Sequence, residues 1–191
     1  MLSEEAMMDA ALQGGADKAA VIAVADIPFR RAFRAACEAN SCGKYGKCWT
    51  CPPDVGEIDD LIARAQRYDR CLLFQSVSGL EDSFDIEGML EAGRAHSALT
   101  RRVWETLKPQ MPADTLMLSA GGCGVCGRCA KEDDLPCRHP ELALASLEAY
   151  GIAVSEIAPL GGMKYINGAD TVTYFSAMLF HSQEGGEADG R

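Results

Sequence analysis

Four cysteines in the second half of the chain have a spacing that suits a metal cluster. Cys123, Cys126, Cys129 and Cys137 form the pattern C-x2-C-x2-C-x7-C within the segment GGCGVCGRCAKEDDLPC. Three thiolates at two-residue intervals on a glycine-rich loop can converge on three corners of an iron–sulfur cube, and bacterial ferredoxins share this core. The glycines let the loop wrap tightly and present backbone N–H groups to the sulfurs. The pattern therefore predicts an iron–sulfur cluster held by four thiolates.

Zinc and metal-free redox-active thiols are alternative interpretations of the same loop. Tetrahedral zinc is usually held by two separated C-x2-C pairs rather than by three consecutive ones, so the spacing favours iron–sulfur. The glycines at 122, 124 and 127 also match the dinucleotide-binding motif G-x-G-x-x-G. That motif must open a helix, which the following RCAKEDDLPCRHP does not predict, and we interpret the match as coincidence.

A second group of cysteines lies nearer the N-terminus and has a less specific spacing. It comprises Cys37, Cys42, Cys48 and Cys51 in the pattern C-x4-C-x5-C-x2-C. Between residues 28 and 53, five basic residues accompany a single acidic one, in a chain whose net charge is −10. Basic neighbours favour thiolates and anionic clusters, although the same charges also fit a solvated helix face. We take these four cysteines as candidate ligands of a second cluster.

The remaining reactive side chains have structural explanations. Cys71 opens an apolar run and is predicted to be a buried, inert thiol. His96 lies on the apolar face of a predicted helix and is expected in the core. His139, close to Cys137, is expected to cap a helix, to bind metal or to donate to a cluster sulfur, and His181 is expected to be inert. Because the sequence has no catalytic triad, phosphate loop or zinc-protease motif, we expect any chemistry to come from the cofactor.

Composition and charge exclude several classes of protein. The 191 residues are 48% hydrophobic and 24% charged, values typical of one globular domain. The net charge of −10 argues against nucleic-acid binding, which needs a surplus of Lys and Arg. No apolar run approaches the roughly 20 residues that span a bilayer, and no secretion signal is evident. We expect a cytoplasmic protein, because the reducing cytosol keeps clustered thiols available to metals, and a redox protein as its partner.

The elements that must position the cysteines alternate between strands and helices. Apolar runs predict strands over residues 19–25, 71–77, 115–119 and 152–157. Helical periodicity predicts helices over residues 29–37, 56–68, 86–107 and 141–150. The pair Asn167-Gly168 between two β-rich runs predicts a C-terminal β-hairpin. We expect one α/β domain over residues 1–181, with a mixed sheet flanked by helices and two cysteine-rich metal-binding loops, followed by a disordered acidic tail over residues 182–191.

Three segments carry a family resemblance: CGKYGKCWTCPP from Cys42, CRHPE from Cys137 and SLEAYGIAV from Ser146. Together they resemble a prokaryotic cysteine-rich family of predicted metal-binding proteins, a domain of unknown function, over about Phe29 to Phe180. The resemblance implies metal binding, with iron–sulfur as the expected form. The family pattern has cysteines at the positions of Cys37, Cys42, Cys51, Cys123, Cys126, Cys129 and Cys137. Cys48 falls where the family varies.

The role of Cys48 separates two functions. If it completes the first site, two 4Fe–4S clusters with four thiolates each predict a protein that transfers electrons to a partner enzyme. If only Cys37, Cys42 and Cys51 bind there, one iron lacks a thiolate and can take a substrate, as in a reductase or activase. A zinc-stabilised binding module without redox chemistry is the third alternative.

Overall fold

A five-stranded mixed sheet forms the centre of the fold. The structure, a computed structural model, describes residues 2–182. The strands are Lys18–Ala23 (β1), Arg70–Gly79 (β2), Leu116–Ser119 (β3), Ala145–Ser146 (β4) and Thr171–Phe180 (β5). They lie in the order β1-β2-β5-β3-β4, with the β3–β4 pair parallel and the other pairs antiparallel. The long central pair, β2 and β5, is in register over all ten residues of each strand.

Five helices flank this sheet. They are Glu4–Gln13 (α1), Ala32–Glu38 (α2), Ile58–Ala65 (α3), Ile86–Leu107 (α4) and Val154–Ile157 (α5). The Ser3 side chain accepts a hydrogen bond from the Ala6 amide at the start of α1, and the Asp85 side chain accepts one from Gly88 at the start of α4. Such caps satisfy backbone N–H groups that have no partner within the helix. Between residues 2 and 182, no helix combines the length and apolar character that a membrane crossing requires.

The side chains of β2 alternate between two apolar layers. Leu72 and Phe74 pack in the layer that contains Met7 of α1 and Leu99 of α4. Leu73 belongs to the opposite layer. Successive strand residues point to opposite faces, so a sheet covered on both sides accommodates a continuous apolar run such as CLLF.

A buried polar network joins α4 to the sheet. His96 Nδ1 lies 2.7 Å from Ser76 Oγ on β2, and His96 Nε2 lies 2.9 Å from Ser176 Oγ on β5. The Thr100 hydroxyl lies 2.7 Å from the same Ser176 oxygen. The side chain of His96 is buried, which confirms its prediction as a core histidine.

The single mixed α/β architecture is confirmed, and most predicted elements are present. The strands predicted over residues 19–25, 71–77 and 115–119 correspond to β1, β2 and β3, and the helix predicted over residues 86–107 is α4. The other two correctly predicted helices are α2 and α3, both shorter than predicted. The predicted tail lies outside the described residues, apart from Ser182.

Two predicted elements around Gly151 are wrong. The segment predicted as a helix over residues 141–150 contains β4 and a short 3-10 helix, Glu148–Tyr150. Pairing of β4 with β3 and burial of Leu147 override the local helical pattern. The predicted strand over residues 152–157 is instead the short helix α5, which buries Val154 and Ile157 on one face.

The predicted C-terminal hairpin is also wrong, because only its second strand forms. The Asn167 side-chain amide donates to the Lys164 carbonyl and to the Thr173 hydroxyl, both at 2.9 Å. These bonds hold residues 164–167 in an irregular loop. β5 takes β2 and β3 as its partners, so its pairing is long-range rather than local.

Candidate metal centre

Two loops bring the cysteines together. Cys37 is the penultimate residue of α2, and the loop that follows it carries Cys42, Cys48 and Cys51. The second loop leaves β3 at Ser119 and carries the other four cysteines of the two clusters. Hydrogen bonds join the two loops, although the bonded residues are 73 and 86 positions apart in the sequence. The site therefore depends on the contacts between these two loops.

Three contacts join the two loops. The Thr50 hydroxyl accepts a hydrogen bond from the Cys123 amide at 3.3 Å. The Trp49 indole N–H donates to the Leu135 carbonyl at 2.9 Å. Gly122 passes so close to the first loop that a Cβ atom there would lie 3.1 Å from Cys51 Sγ and 3.4 Å from Lys44 Cγ. A side chain at this crossing would therefore require Cys51 or Lys44 to move by a few tenths of an ångström.

Five of the thiols line one cavity, which we call the five-cysteine cavity. They are Cys48, Cys123, Cys126, Cys129 and Cys137. The exposed His139 also lines it, which agrees with the expectation that this histidine lies near the metal site. Space open to a water-sized sphere amounts to about 20 Å³, room for about one water molecule.

The other three thiols line a second, larger cavity, the three-cysteine cavity. It contains Cys37, Cys42 and Cys51, and its free space is about 200 Å³. Its wall also carries Lys44 and Tyr45 from the same loop, and Ser146 and Glu148, which the sequence analysis did not identify. Burial raises the pKa of the Glu148 carboxyl. Ser146 and Glu148 lie about 100 residues from these thiols in the sequence, and the fold brings them to the same cavity.

Cys48 and Cys51 connect the two cavities. The Cys51 thiol donates a hydrogen bond to the Cys48 sulfur, and this bond is the main reason why the pKa of Cys48 falls to about 5. The same bond, with burial, raises the pKa of Cys51. Thr50 lines both cavities and places its hydroxyl 3.4 Å from Cys48 Sγ. The sequence grouped Cys48 with Cys37, Cys42 and Cys51, whereas the structure places its side chain in the five-cysteine cavity.

The donor chemistry of both cavities suits a soft metal. All nine cysteines carry free thiols, and thiolates select zinc, copper(I) or iron–sulfur clusters. Across residues 2–182, no three His, Cys, Asp or Glu side chains are grouped so that they could hold one metal ion. With a Zn–S distance of about 2.3 Å, a four-thiolate zinc site needs sulfurs about 3.8 Å apart.

Three basic residues near the two loops form ion pairs. Lys131 Nζ lies 2.9 Å from Asp54 Oδ1 and 4.7 Å from the centroid of the Trp49 ring, so this side chain links the second loop to the first. Two arginines of the basic segment form ion pairs, Arg30 with Glu156 and Arg31 with Asp59. These two side chains therefore do not act as local cations for a cluster, and Lys44 is the basic residue that lines the three-cysteine cavity.

Cys71 lines neither cavity, and the G-x-G-x-x-G match does not open an α-helix. Cys71 is completely buried on β2, and burial raises its pKa to about 12. The glycines of the G-x-G-x-x-G match lead into a short 3-10 helix, Ala130–Asp133, and not into an α-helix, so the dinucleotide-binding interpretation finds no support here.

Comparison with known proteins gives one match. A family model described as "Predicted metal-binding protein (DUF2284)" matches residues 20–180, which is most of the chain and includes all eight cysteines of the two cavities. Comparison with curated proteins and with solved structures gave no match.

Proposed function

Because the chain belongs to the DUF2284 family of predicted metal-binding proteins, we propose that its metals are two iron–sulfur clusters, one at each cysteine-lined cavity. The observation that carries the proposal is the convergence of eight free thiols, from loops far apart in sequence, on two adjoining cavities. The proposal includes a cytoplasmic location, where thiols stay reduced.

The five-cysteine cavity is proposed to hold a 4Fe–4S cluster on Cys123, Cys126, Cys129 and Cys137. Such a cluster supplies one-electron transfer when it is bound. The chain contributes four thiolates, and the loops that carry them must move apart to admit the cluster, since the free space is about 20 Å³. Trp49 and Ala130 line the same wall and lower the local polarity, which together with hydrogen bonds tunes a cluster's potential. A protein with this site would pass electrons to a partner enzyme.

The three-cysteine cavity supports a second candidate function, that of a reductase or activase with an open metal position. The observation that favours it is the side chain of Cys48, which lines the other cavity and leaves Cys37, Cys42 and Cys51 as the lining thiols. The free space of about 200 Å³ next to Lys44 and Glu148 leaves room for a small ligand. An open coordination position is the usual mark of a catalytic rather than a structural metal site.

Metal and sulfide analysis of protein purified without oxygen tests the proposal. We expect a brown protein with about eight iron atoms and eight acid-labile sulfides per chain, and an EPR signal that appears on reduction. A colourless protein with stoichiometric zinc and no sulfide would contradict the proposal and support a zinc-stabilised binding module instead.

Replacing Gly122 with alanine is expected to weaken the three-cysteine site. The added methyl group would stand 3.1 Å from Cys51 Sγ, so this thiol or its loop must move by a few tenths of an ångström. Disturbing the support of a metal ligand typically costs about 10-fold in metal affinity. Competition with a chelator, followed by iron absorbance, measures the loss.

Gly124→Ala is the matched control for this prediction. It lies in the same loop, but a Cβ atom there meets nothing within 4 Å, so we expect the metal retention of the unmodified chain. Equal retention in both variants would show that the crossing at Gly122 does not support the site.

A further inference from the structure

A surface groove beside the five-cysteine cavity has the size and lining of a ligand site. It runs along β3 and is bounded by Trp49, by Trp104 at the end of α4, and by residues 140–145. Its free space is about 420 Å³, within the range of roughly 300–1,000 Å³ found for small-molecule pockets. β4 pairs only with Leu118 and Ser119, so the edge of Leu116 and Met117 opposite β5 has no strand partner, and both residues line the groove.

Both tryptophans of the chain line this groove. Each of them also has a lysine ammonium over its ring, Lys131 at 4.7 Å from the Trp49 centroid and Lys108 at 6.0 Å from the Trp104 centroid. Tryptophan rings offer flat apolar surface against which a planar molecule can stack. The groove is therefore suited to a flat ring more than to a flexible chain.

Two cations at the groove have no acidic partner among the described residues. Arg64 donates only to the Tyr150 hydroxyl, at 3.2 Å, and Lys108 forms no ion pair between residues 2 and 182. Glu141 lies at the groove as well, and Asp54 is already paired with Lys131. In a chain whose net charge is −10, two such cations at one groove favour an anionic ligand.

Two polar atoms in the groove wall have no hydrogen-bond partner in the described part of the chain. They are the Thr115 hydroxyl, on a side chain that is 8% exposed, and Asp54 Oδ2. A buried polar group without a partner costs free energy, so such groups usually mark a bound molecule or water. Asp54 Oδ2 can only accept a hydrogen bond, and it calls for a ligand with an N–H or O–H donor.

We infer that this groove binds a flat heterocyclic anion. The ring lies against the tryptophan surface, its carboxylate or phosphate meets Arg64 and Lys108, and its ring N–H groups reach Asp54 and Thr115. The groove shares Trp49, Thr50 and Ala143 with the five-cysteine cavity, so the ligand lies one side-chain layer from those thiols. Binding does not depend on which metal the thiols hold, and the inference stands apart from the proposed iron–sulfur clusters.

Tryptophan fluorescence and calorimetry of the purified full-length chain test the inference with three planar probes of similar size. Pterin-6-carboxylate has both ring N–H donors and a carboxylate, 2-naphthoate lacks the ring donors, and pterin lacks the carboxylate. We expect saturable tryptophan quenching by pterin-6-carboxylate, with affinity about 10-fold above that of either other probe. Equal affinities for all three probes, or no saturation up to about 1 mM, would overturn the inference.

Charge variants locate the binding. Arg64→Gln and Lys108→Gln are each expected to lower the affinity for pterin-6-carboxylate about 10-fold and to leave the affinity for pterin unchanged. The matched control is Arg67→Gln, an exposed arginine just beyond the same helix that does not line the groove, and it should bind as the unmodified chain does. A loss in Arg67→Gln equal to that in Arg64→Gln would mean that net charge, and not this groove, attracts the anion.

A pair of threonine variants separates binding from folding. Because the Thr115 hydroxyl has no hydrogen-bond partner, Thr115→Val should keep or raise the Tm. The same variant should bind pterin-6-carboxylate about 5-fold more weakly and 2-naphthoate with unchanged affinity. Thr100→Val removes a hydroxyl bonded to the His96 carbonyl and should lower the Tm without changing affinity. If Thr115→Val lowers the Tm and leaves pterin-6-carboxylate affinity unchanged, the hydroxyl is structural and the inference fails. Iron and sulfide measured on the same samples report on the proposed clusters separately.

Discussion

Replacing Cys126 with alanine is expected to remove about half of the iron and sulfide bound per chain. Cys126 lines the five-cysteine cavity in the middle of the C-x2-C-x2-C run, so its loss removes one of the four thiolates proposed to hold that cluster. Cys42→Ala is expected to remove the other half, because Cys42 lines the three-cysteine cavity. Iron and sulfide assays with EPR of the reduced protein measure both losses.

Cys71→Ala is the control for the two cysteine variants. This thiol is buried on β2 away from both cavities, so its loss should lower stability slightly and leave the iron content unchanged. Full iron content in Cys126→Ala, or equal loss in all three variants, would contradict the assignment of clusters to the two cavities.

Cys48→Ala then decides between the carrier and the enzyme. Cys48 lines the cavity that already has four other thiols, so we expect unchanged iron content and an unchanged spectrum for both clusters. If Cys48→Ala instead loses the same EPR signal as Cys42→Ala, Cys48 is the fourth ligand of the cluster at the three-cysteine cavity. That result would favour simple electron transfer.

Acidification below pH 6.5 is expected to destabilise the fold through His96. Burial lowers the pKa of this imidazole from 6.5 to about 4, so the folded state keeps it neutral while the unfolded state takes up a proton. The full free energy of unfolding is therefore present above pH 6.5, the pKa of His96 in the unfolded state, and it decreases as the pH falls towards 4. Linkage gives a loss of about 3 kcal/mol in the free energy of unfolding between pH 7 and pH 4.

Comparison of His96→Gln with His139→Gln isolates this contribution. Glutamine keeps a donor and an acceptor between Ser76 and Ser176 but does not titrate. The free energy of unfolding of His96→Gln should therefore fall by about 3 kcal/mol less than that of the unmodified chain between pH 7 and pH 4. His139 is exposed, and its variant should follow the unmodified chain. Denaturant unfolding at pH 4, 5, 6 and 7 measures the difference, and parallel curves for the two variants would refute the role of His96.

Long, regular elements were predictable from the sequence. The 22-residue helix α4 shows helical periodicity along its whole length, and the run CLLF identifies β2, because each pattern repeats with the geometry of its element. Short elements were not predictable in this way. Residues 141–157 have a local helical and strand pattern, but the pairing of β4 with β3 and the burial of Leu147 outweigh it. Asn167-Gly168 likewise predicts a hairpin that long-range pairing of β5 replaces.

The sequence by itself determined the metal-binding character of the chain, since thiols at two-residue intervals carry their chemistry in their type and spacing. Only the tertiary structure decided how these thiols divide. Cys48 is three residues from Cys51, yet the two side chains line different cavities, with Thr50 in the wall of both. The groove with both tryptophans was equally invisible in the sequence. Spacing along a chain constrains the distance between neighbouring residues, whereas the partners of a side chain depend on which segments the core brings together.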